Sequence, residues 1–174
     1  MEKKYCYEYP HPAVAADCIV FAFDGKNIFL LLIERGNEPY KGCWAFPGGF
    51  MNIDETAHDA AIRELKEETG LVIKKIQQLG AFTDVDRDPR ERVISIAFYS
   101  LIKNKSDNIC GSDDAAKAKW FNIKDIPKLA FDHQLILNKA KNKIKTKLQF
   151  EQSDIEYLED KFSAEEIKII ISIL

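Results

Sequence analysis

Three glutamates, Glu64, Glu67 and Glu68, crowd into the run Arg63-Glu64-Leu65-Lys66-Glu67-Glu68. Asp54 reads as an N-cap and Gly70 as a C′ residue, which brackets this run in a helix. At helical spacing Ala57, Ala61 and Leu65 share one side, while Glu55, Asp59, Arg63 and Lys66 fall on the opposite, solvent side. Glu64 and Glu68 continue the alanine side, where a plain amphipathic helix would carry apolar residues. Clustered carboxylates repel one another, and burying them unpaired is costly. A hard divalent cation with oxygen ligands, such as Mg²⁺, removes that problem and keeps positions open for water and phosphate oxygens. Metal-assisted hydrolysis at a phosphate is the chemistry these residues suit. The competing reading is a solvated acidic helix face.

The surrounding spacing favours the chemical reading. Gly49 is followed after five residues by Glu55, and after seven more by Arg63-Glu64-Leu65-Lys66-Glu67-Glu68-Thr69-Gly70-Leu71. This pattern resembles the complete box of the Nudix family. The resemblance implies an α/β fold, the Nudix α/β/α sandwich with a mixed central sheet, here with C-terminal helices added. It also implies cleavage of a nucleoside diphosphate linked to another moiety, with Mg²⁺ (Mn²⁺ as substitute) as cofactor. Carried over by position, Gly48, Glu64, Glu67 and Glu68 would hold the metal, Gly48 through its backbone carbonyl. Glu67, Glu68 and Arg63 form the candidate catalytic set. Arg63 and Glu55 suit orienting the box by ion pairing. The general base is left open between Glu67 or Glu68 and an acid outside the box, Asp113 or Asp114.

A second charged stretch, Thr83-Asp84-Val85-Asp86-Arg87-Asp88-Pro89-Arg90-Glu91-Arg92, precedes an alternating, β-branched run. With Arg35 it resembles the ADP-ribose pyrophosphatase branch of that family, and it also resembles the Nudix domain of repressors that sense ADP-ribose or sugars. Arg35, Arg87, Arg90 and Arg92 are therefore candidate phosphate binders, since guanidinium groups offer planar paired donors. Phe46 is a candidate for stacking on a base. The competing reading pairs the arginines with Asp86, Asp88 and Glu91 in a surface loop. The Asp84-Val85-Asp86-Arg87-Asp88 run imitates the start of a calcium loop, but Pro89 stands where that loop needs Gly and Ser95 where it needs Glu. The resemblance leads to Mg²⁺-dependent conversion of ADP-ribose to AMP and ribose 5-phosphate. The alternatives are hydrolysis of damaged nucleotides or dinucleoside polyphosphates, and a non-catalytic ADP-ribose- or sugar-sensing regulator.

The elements that must position these residues are readable in outline. Ala13 to Phe23 and Ile28 to Glu34 read as strands joined by the Asp24-Gly25 turn. Val72 to Asp84, Val93 to Ile102 and Lys119 to Ile123 read as further strands. From Asp125 the pattern is helical, with an apolar stripe of Leu137, Ala140, Ile144 and Leu148. Ser163 and Glu166 have capping-box spacing for a last apolar helix. We place the catalytic body at residues 10–133 and a C-terminal helical extension at 134–174. The resemblance to the repressors makes the extension, including Tyr157 to Ser163, a remnant of a winged-helix module.

The 174 residues suit one domain with a surplus, and 46% hydrophobic with 30% charged residues excludes disorder. A formal charge of −3 argues against a general nucleic-acid or anionic-membrane surface. Apolar runs such as Ile28 to Ile33 fall short of a membrane span. Cys6, Cys18, Cys43 and Cys110 form no CxxC motif, and as free thiols they suit a reducing cytoplasm. A small-molecule nucleoside diphosphate is the expected partner, and the apolar last helix is the candidate surface for a homodimer.

Overall fold

The computed structural model describes residues 7–109, 111, 115–150 and 160–174. Cys6, Cys110, Asp113 and Asp114, and Tyr157 to Glu159 of the suggested winged-helix remnant, lie outside them. The elements are β1 (Ala13–Phe23), β2 (Ile28–Arg35), β3 (Trp44–Ala45), β4 (Gly48–Phe50), α1 (Ala57–Thr69), β5 (Gln77–Phe82), β6 (Val93–Lys103), β7 (Ala115–Asn122), α2 (His133–Phe150) and α3 (Ala164–Ile173). They build one mixed sheet in the order β3-β2-β1-β6-β5, with β4 added against β1 and β7 against β2. β1 and β6 run parallel over their whole length, from Ala13 opposite Val93 to Phe23 opposite Lys103. The other pairs are antiparallel.

β1 is the central strand and is buried on both faces, so it reads as a nearly continuous apolar run. Its alternate residues serve two cores. Ile19, Phe21 and Phe23 pack with Leu30, Leu32, Tyr99 and the buried stripes of α2 and α3. Ala16, Cys18, Val20 and Ala22 face the other way, onto Ala60, Ala61 and Leu65 of α1. The sheet thus lies between α1 and the α2–α3 pair, as an α/β/α sandwich. The stripe of α2 is buried as its periodicity predicts, and the Ser163–Glu166 capping box forms in full. Both C-terminal helices close the same core as the strands.

The turn after β1 forms as read, with the Asp24 carboxylate accepting from the Lys26 and Asn27 amides and Gly25 at φ 94°. Three boundaries differ from expectation. Thr56, not Asp54, caps α1, its hydroxyl accepting from the Asp59 amide. The strand expected over Val72 to Asp84 is confined to Gln77–Phe82, because Leu71, Ile73 and Ile76 are drawn into the α1 core before pairing begins. The strand expected at Lys119 to Ile123 starts earlier, at Ala115, carried by its pairing with β2. Among the described residues no helix is long and apolar enough to cross a membrane.

Candidate active site

The box folds as a loop against a helix, and the helix sorts its glutamates by face. Glu68 is buried, Glu64 retains 16% side-chain exposure, and Glu67 is open to solvent at 58%. This is the division the helical period requires, with i and i+4 inward and i+3 outward. Gly70, in the left-handed region at φ 72°, ends the helix by donating its amide to the Lys66 carbonyl.

Arg63 ties the loop to the helix. Its Nε and Nη2 donate to the two oxygens of Glu55 at 3.0 and 2.6 Å, a paired geometry. Nη1 donates to Glu64 at 2.7 Å and Glu67 at 3.1 Å, and Nη2 also reaches the Phe50 carbonyl at 3.3 Å. The hydrogen bonds from Arg63 hold the Glu55 carboxyl down at about 2. Glu64 moves the other way, because burial outweighs the same arginine. Arg63 in this arrangement binds three carboxylates and holds their spacing.

The two glycines before the box are required for different reasons. A Cβ on Gly48 would meet backbone atoms of β1, the Ala16 carbonyl at 2.5 Å and the Asp17 Cα at 2.9 Å. A Cβ on Gly49 would instead strike the Glu64 carboxylate. The Gly48 amide donates to Glu68 Oε2 at 2.8 Å, so strand and helix meet through the buried glutamate. Among the described residues no three His, Cys, Asp or Glu side chains gather tightly enough to hold a metal ion in these conformations. Glu64 and Glu67 are turned toward Arg63. Their chemistry nevertheless fits a hard divalent cation: oxygen donors only, with Glu64 and Glu68 one helical turn apart on the inward face.

Beside Gly48 and Gly49 opens a pocket of about 150 Å³, lined by Arg35, Arg87, Arg90, Asp17, Phe131 and His133 among others. A second recess joins Arg35 and Arg90 to Glu68. Of the four candidate arginines, these two face the box. Arg35 lies over the Phe131 ring at 4.7 Å, with Nε bound to the Pro39 carbonyl at 2.8 Å. Burial and the nearby Arg90 lower it from its ordinary value. Arg90 is paired twice with Asp88 and stacks toward Phe50 at 5.2 Å and Phe131 at 5.9 Å.

The other two arginines are placed differently. Arg87 is buried and its guanidinium pairs with Asp132 through two hydrogen bonds, at 3.0 and 2.7 Å, locking the loop to the start of α2. Arg92 lies away from the pocket and donates to the Thr83 and Asp84 carbonyls. Phe46 is 1% exposed and its ring stacks on His133 at 4.7 Å. That ring is a pocket wall and has no face left for a base. Trp44 packs edge-on against Phe121 at 4.6 Å, as core.

Asp17 and His133, neither of them a candidate by spacing, line the pocket, and Asp132 pairs with the Arg87 that lines it with them. Asp17 had a readable signal, a carboxylate inside an otherwise apolar strand. His133 had none, since its neighbours Asp17, Phe46 and Arg87 come from β1, the segment between β3 and β4, and the 83–92 loop.

Known proteins resemble this chain in sequence and in fold. The model of the NUDIX domain matches residues 11–140. An ADP-ribose pyrophosphatase of Methanocaldococcus jannaschii is 47% identical over 135 residues, which cover 78% of this chain and 76% of that protein. The ADPR responsive transcriptional repressor NtrR of Acinetobacter baylyi is 30% identical over 96% of this chain and 68% of its own length. A crystal structure of a MutT/nudix family protein from Enterococcus faecalis superposes with a TM-score of 0.85 at 30% identity, covering 98% of this chain and 76% of that one.

Proposed function

This chain belongs to the Nudix family of hydrolases, and on that footing we propose that it cleaves ADP-ribose to AMP and ribose 5-phosphate, with Mg²⁺ as cofactor and Mn²⁺ as substitute. The observation that carries the reading is the recess joining Arg35 and Arg90 to Glu68, which sets two cations beside the box carboxylates. A diphosphate bridging that gap would be held by the guanidinium groups at one end and face Glu64, Glu67 and Glu68 at the other. Glu64, Glu67, Glu68 and the Gly48 carbonyl would hold a divalent cation, which would neutralise phosphate charge and make water a better nucleophile near neutral pH.

The protein's own groups account for the rest. Arg35 and Arg90 bind and orient the diphosphate. Arg63 sets the spacing of Glu64 and Glu67, and Glu68 is fixed by the Gly48 amide. Glu67, the exposed member, is the base we assign to accept the proton of the attacking water. Water adds to one phosphorus, the bridging P–O bond breaks, and the two monophosphates leave.

The test is product release from ADP-ribose, other nucleoside diphosphate sugars, dinucleoside polyphosphates and oxidised dGTP, each with Mg²⁺ and with Mn²⁺. Preference for ADP-ribose with AMP as product is expected. Preference for a damaged nucleotide or a dinucleoside polyphosphate would reassign the substrate.

The match to a repressor across 96% of the chain favours a second reading, a regulator that binds the same ligand without turning it over. A tight gel shift with DNA of the protein's own operon, abolished by ADP-ribose, would establish it. We place the protein in the cytoplasm, consistent with free Cys18 and Cys43. A homodimer would use the outer face of α3, where Ile169 is exposed while Ile167 and Ile170 are buried. A monomer in sedimentation at micromolar concentration would remove that assignment.

A further inference from the structure

The floor of the 150 Å³ pocket carries two polar groups that the phosphate chemistry leaves unused, Asp17 from β1 and His133 from the start of α2. Both are buried, at 7% and 4% exposure. His133 Nδ1 accepts from the Phe46 amide at 3.1 Å, so in the neutral ring the proton sits on Nε2. Burial lowers the pKa of this histidine and favours that neutral form. Nε2 lies 3.9 Å from Asp17 Oδ1, beyond hydrogen-bonding distance, and meets no acceptor among the described residues. Asp17 Oδ2 takes the Ser95 hydroxyl and lies 4.0 Å from Arg87, leaving Oδ1 toward the histidine. A donor and an acceptor therefore stand side by side, buried and unjoined. Their positions are fixed by the stacked Phe46 ring and by the Arg87–Asp132 pair one residue from His133.

A phosphate does not fit that pair, because its oxygens would be brought against the Asp17 carboxylate. A hydroxyl does fit: it accepts from His133 Nε2–H and donates to Asp17 Oδ1 with a single oxygen. We infer that Asp17 and His133 read a sugar hydroxyl of the substrate, making them specificity-determining residues. The pocket is then divided by chemistry, with cations at its mouth for the diphosphate and, at its floor for the sugar, an imidazole donor beside a carboxylate acceptor. Its volume is several times the roughly 30 Å³ share of a water molecule, which suits a five-membered sugar ring. This inference rests on the nucleoside diphosphate reading above. Its consequence is strong discrimination, since a buried site that hydrogen-bonds a hydroxyl is left unpaired by an analogue lacking it.

Either sugar of ADP-ribose could supply the hydroxyl, and two analogues separate them. One carries an unsubstituted tetrahydrofurfuryl group in place of the distal ribose, and the other has a 2′,3′-dideoxy adenosine. Binding of each to the full chain is titrated by calorimetry in EDTA, which makes the result independent of turnover. At least ten-fold weaker binding of one analogue is expected, and which one identifies the sugar that is read. Asp17→Asn and His133→Gln should each shrink the wild-type ratio toward one. Equal affinity of the wild-type protein for ADP-ribose and both analogues would overturn the inference while leaving the diphosphate reading intact. A ratio unchanged in both folded variants would overturn it as well. No binding of ADP-ribose at all would sink the underlying reading and this inference together.

Discussion

The acidic helix α1 and the arginine-bearing loop 83–92 look alike as strings of charge, yet their residues are placed by different rules. On α1 the period of the helix decides the placement: Glu64 and Glu68 turn inward, Glu67 outward, and Arg63 reaches Glu64 and Glu67 within a turn while also holding Glu55 of the preceding loop. In the loop, adjacent arginines have unrelated partners. Arg87 finds Asp132 forty-five positions away, Arg90 takes Asp88, and Arg92 takes backbone carbonyls. A regular element lets spacing specify a site, whereas a loop leaves that decision to whatever the fold brings near.

The largest effect expected from testing this contrast is on the loop. Arg87→Ala leaves the Asp132 carboxylate beside a buried gap, which should cost about 3 kcal/mol in urea unfolding. A cost below about 1 kcal/mol would mean that the pair does not hold the loop to α2. Arg90→Ala should raise KM by roughly ten-fold or more, because it removes a charged donor to phosphate, and should also cost some stability, because it leaves the buried Asp88 carboxylate without its paired donor. Equal KM values would take Arg90 out of the site. On the box side, Gly49→Ala pushes the Glu64 carboxylate away but meets no backbone within the same range. Its activity should fall about ten-fold with the melting temperature nearly kept. Gly48→Ala, which collides with β1 itself, should lose stability first.

The smallest effect is one of pH. The Glu55 carboxyl sits at about 2, against an ordinary value of 4.5, because Arg63 holds its charged form. A group lowered on folding adds stability that is complete above its unfolded value and drains away as pH falls through the folded one. Its contribution should therefore be flat above about pH 4.5 and fade toward pH 2. A titration of the Glu55 carboxyl resonance with its midpoint near 4.5 would show that the pair does not form in solution.

The contrast also explains what was legible beforehand. The strands of the central hairpin, the stripe of α2, the capping box of α3 and the inward face of α1 all follow from local periodicity and capping. Thr56 displaced Asp54 as the cap because both are good N-cap residues and only the packed helix start chooses between them. Phe46 read as a stacking ring until the fold laid His133 over it, from eighty-seven positions along the chain. The pocket floor is the least legible part, since Asp17, Ser95, Arg87 and His133 come from four separate stretches of the chain and no spacing rule connects them.

On the proposed function, the carboxylates of α1 carry out hydrolysis of ADP-ribose in concert with a divalent metal. The most direct measurement is AMP formation by the wild type and by Glu68→Gln, side by side, with Mg²⁺ and after its removal by chelation. We predict steady AMP release by the wild type only when the metal is present, and a loss of about a thousand-fold, or about 4 kcal/mol of barrier, in a variant that still folds. Undiminished AMP release by a folded Glu68→Gln protein, or by the wild type in chelator, would contradict the account.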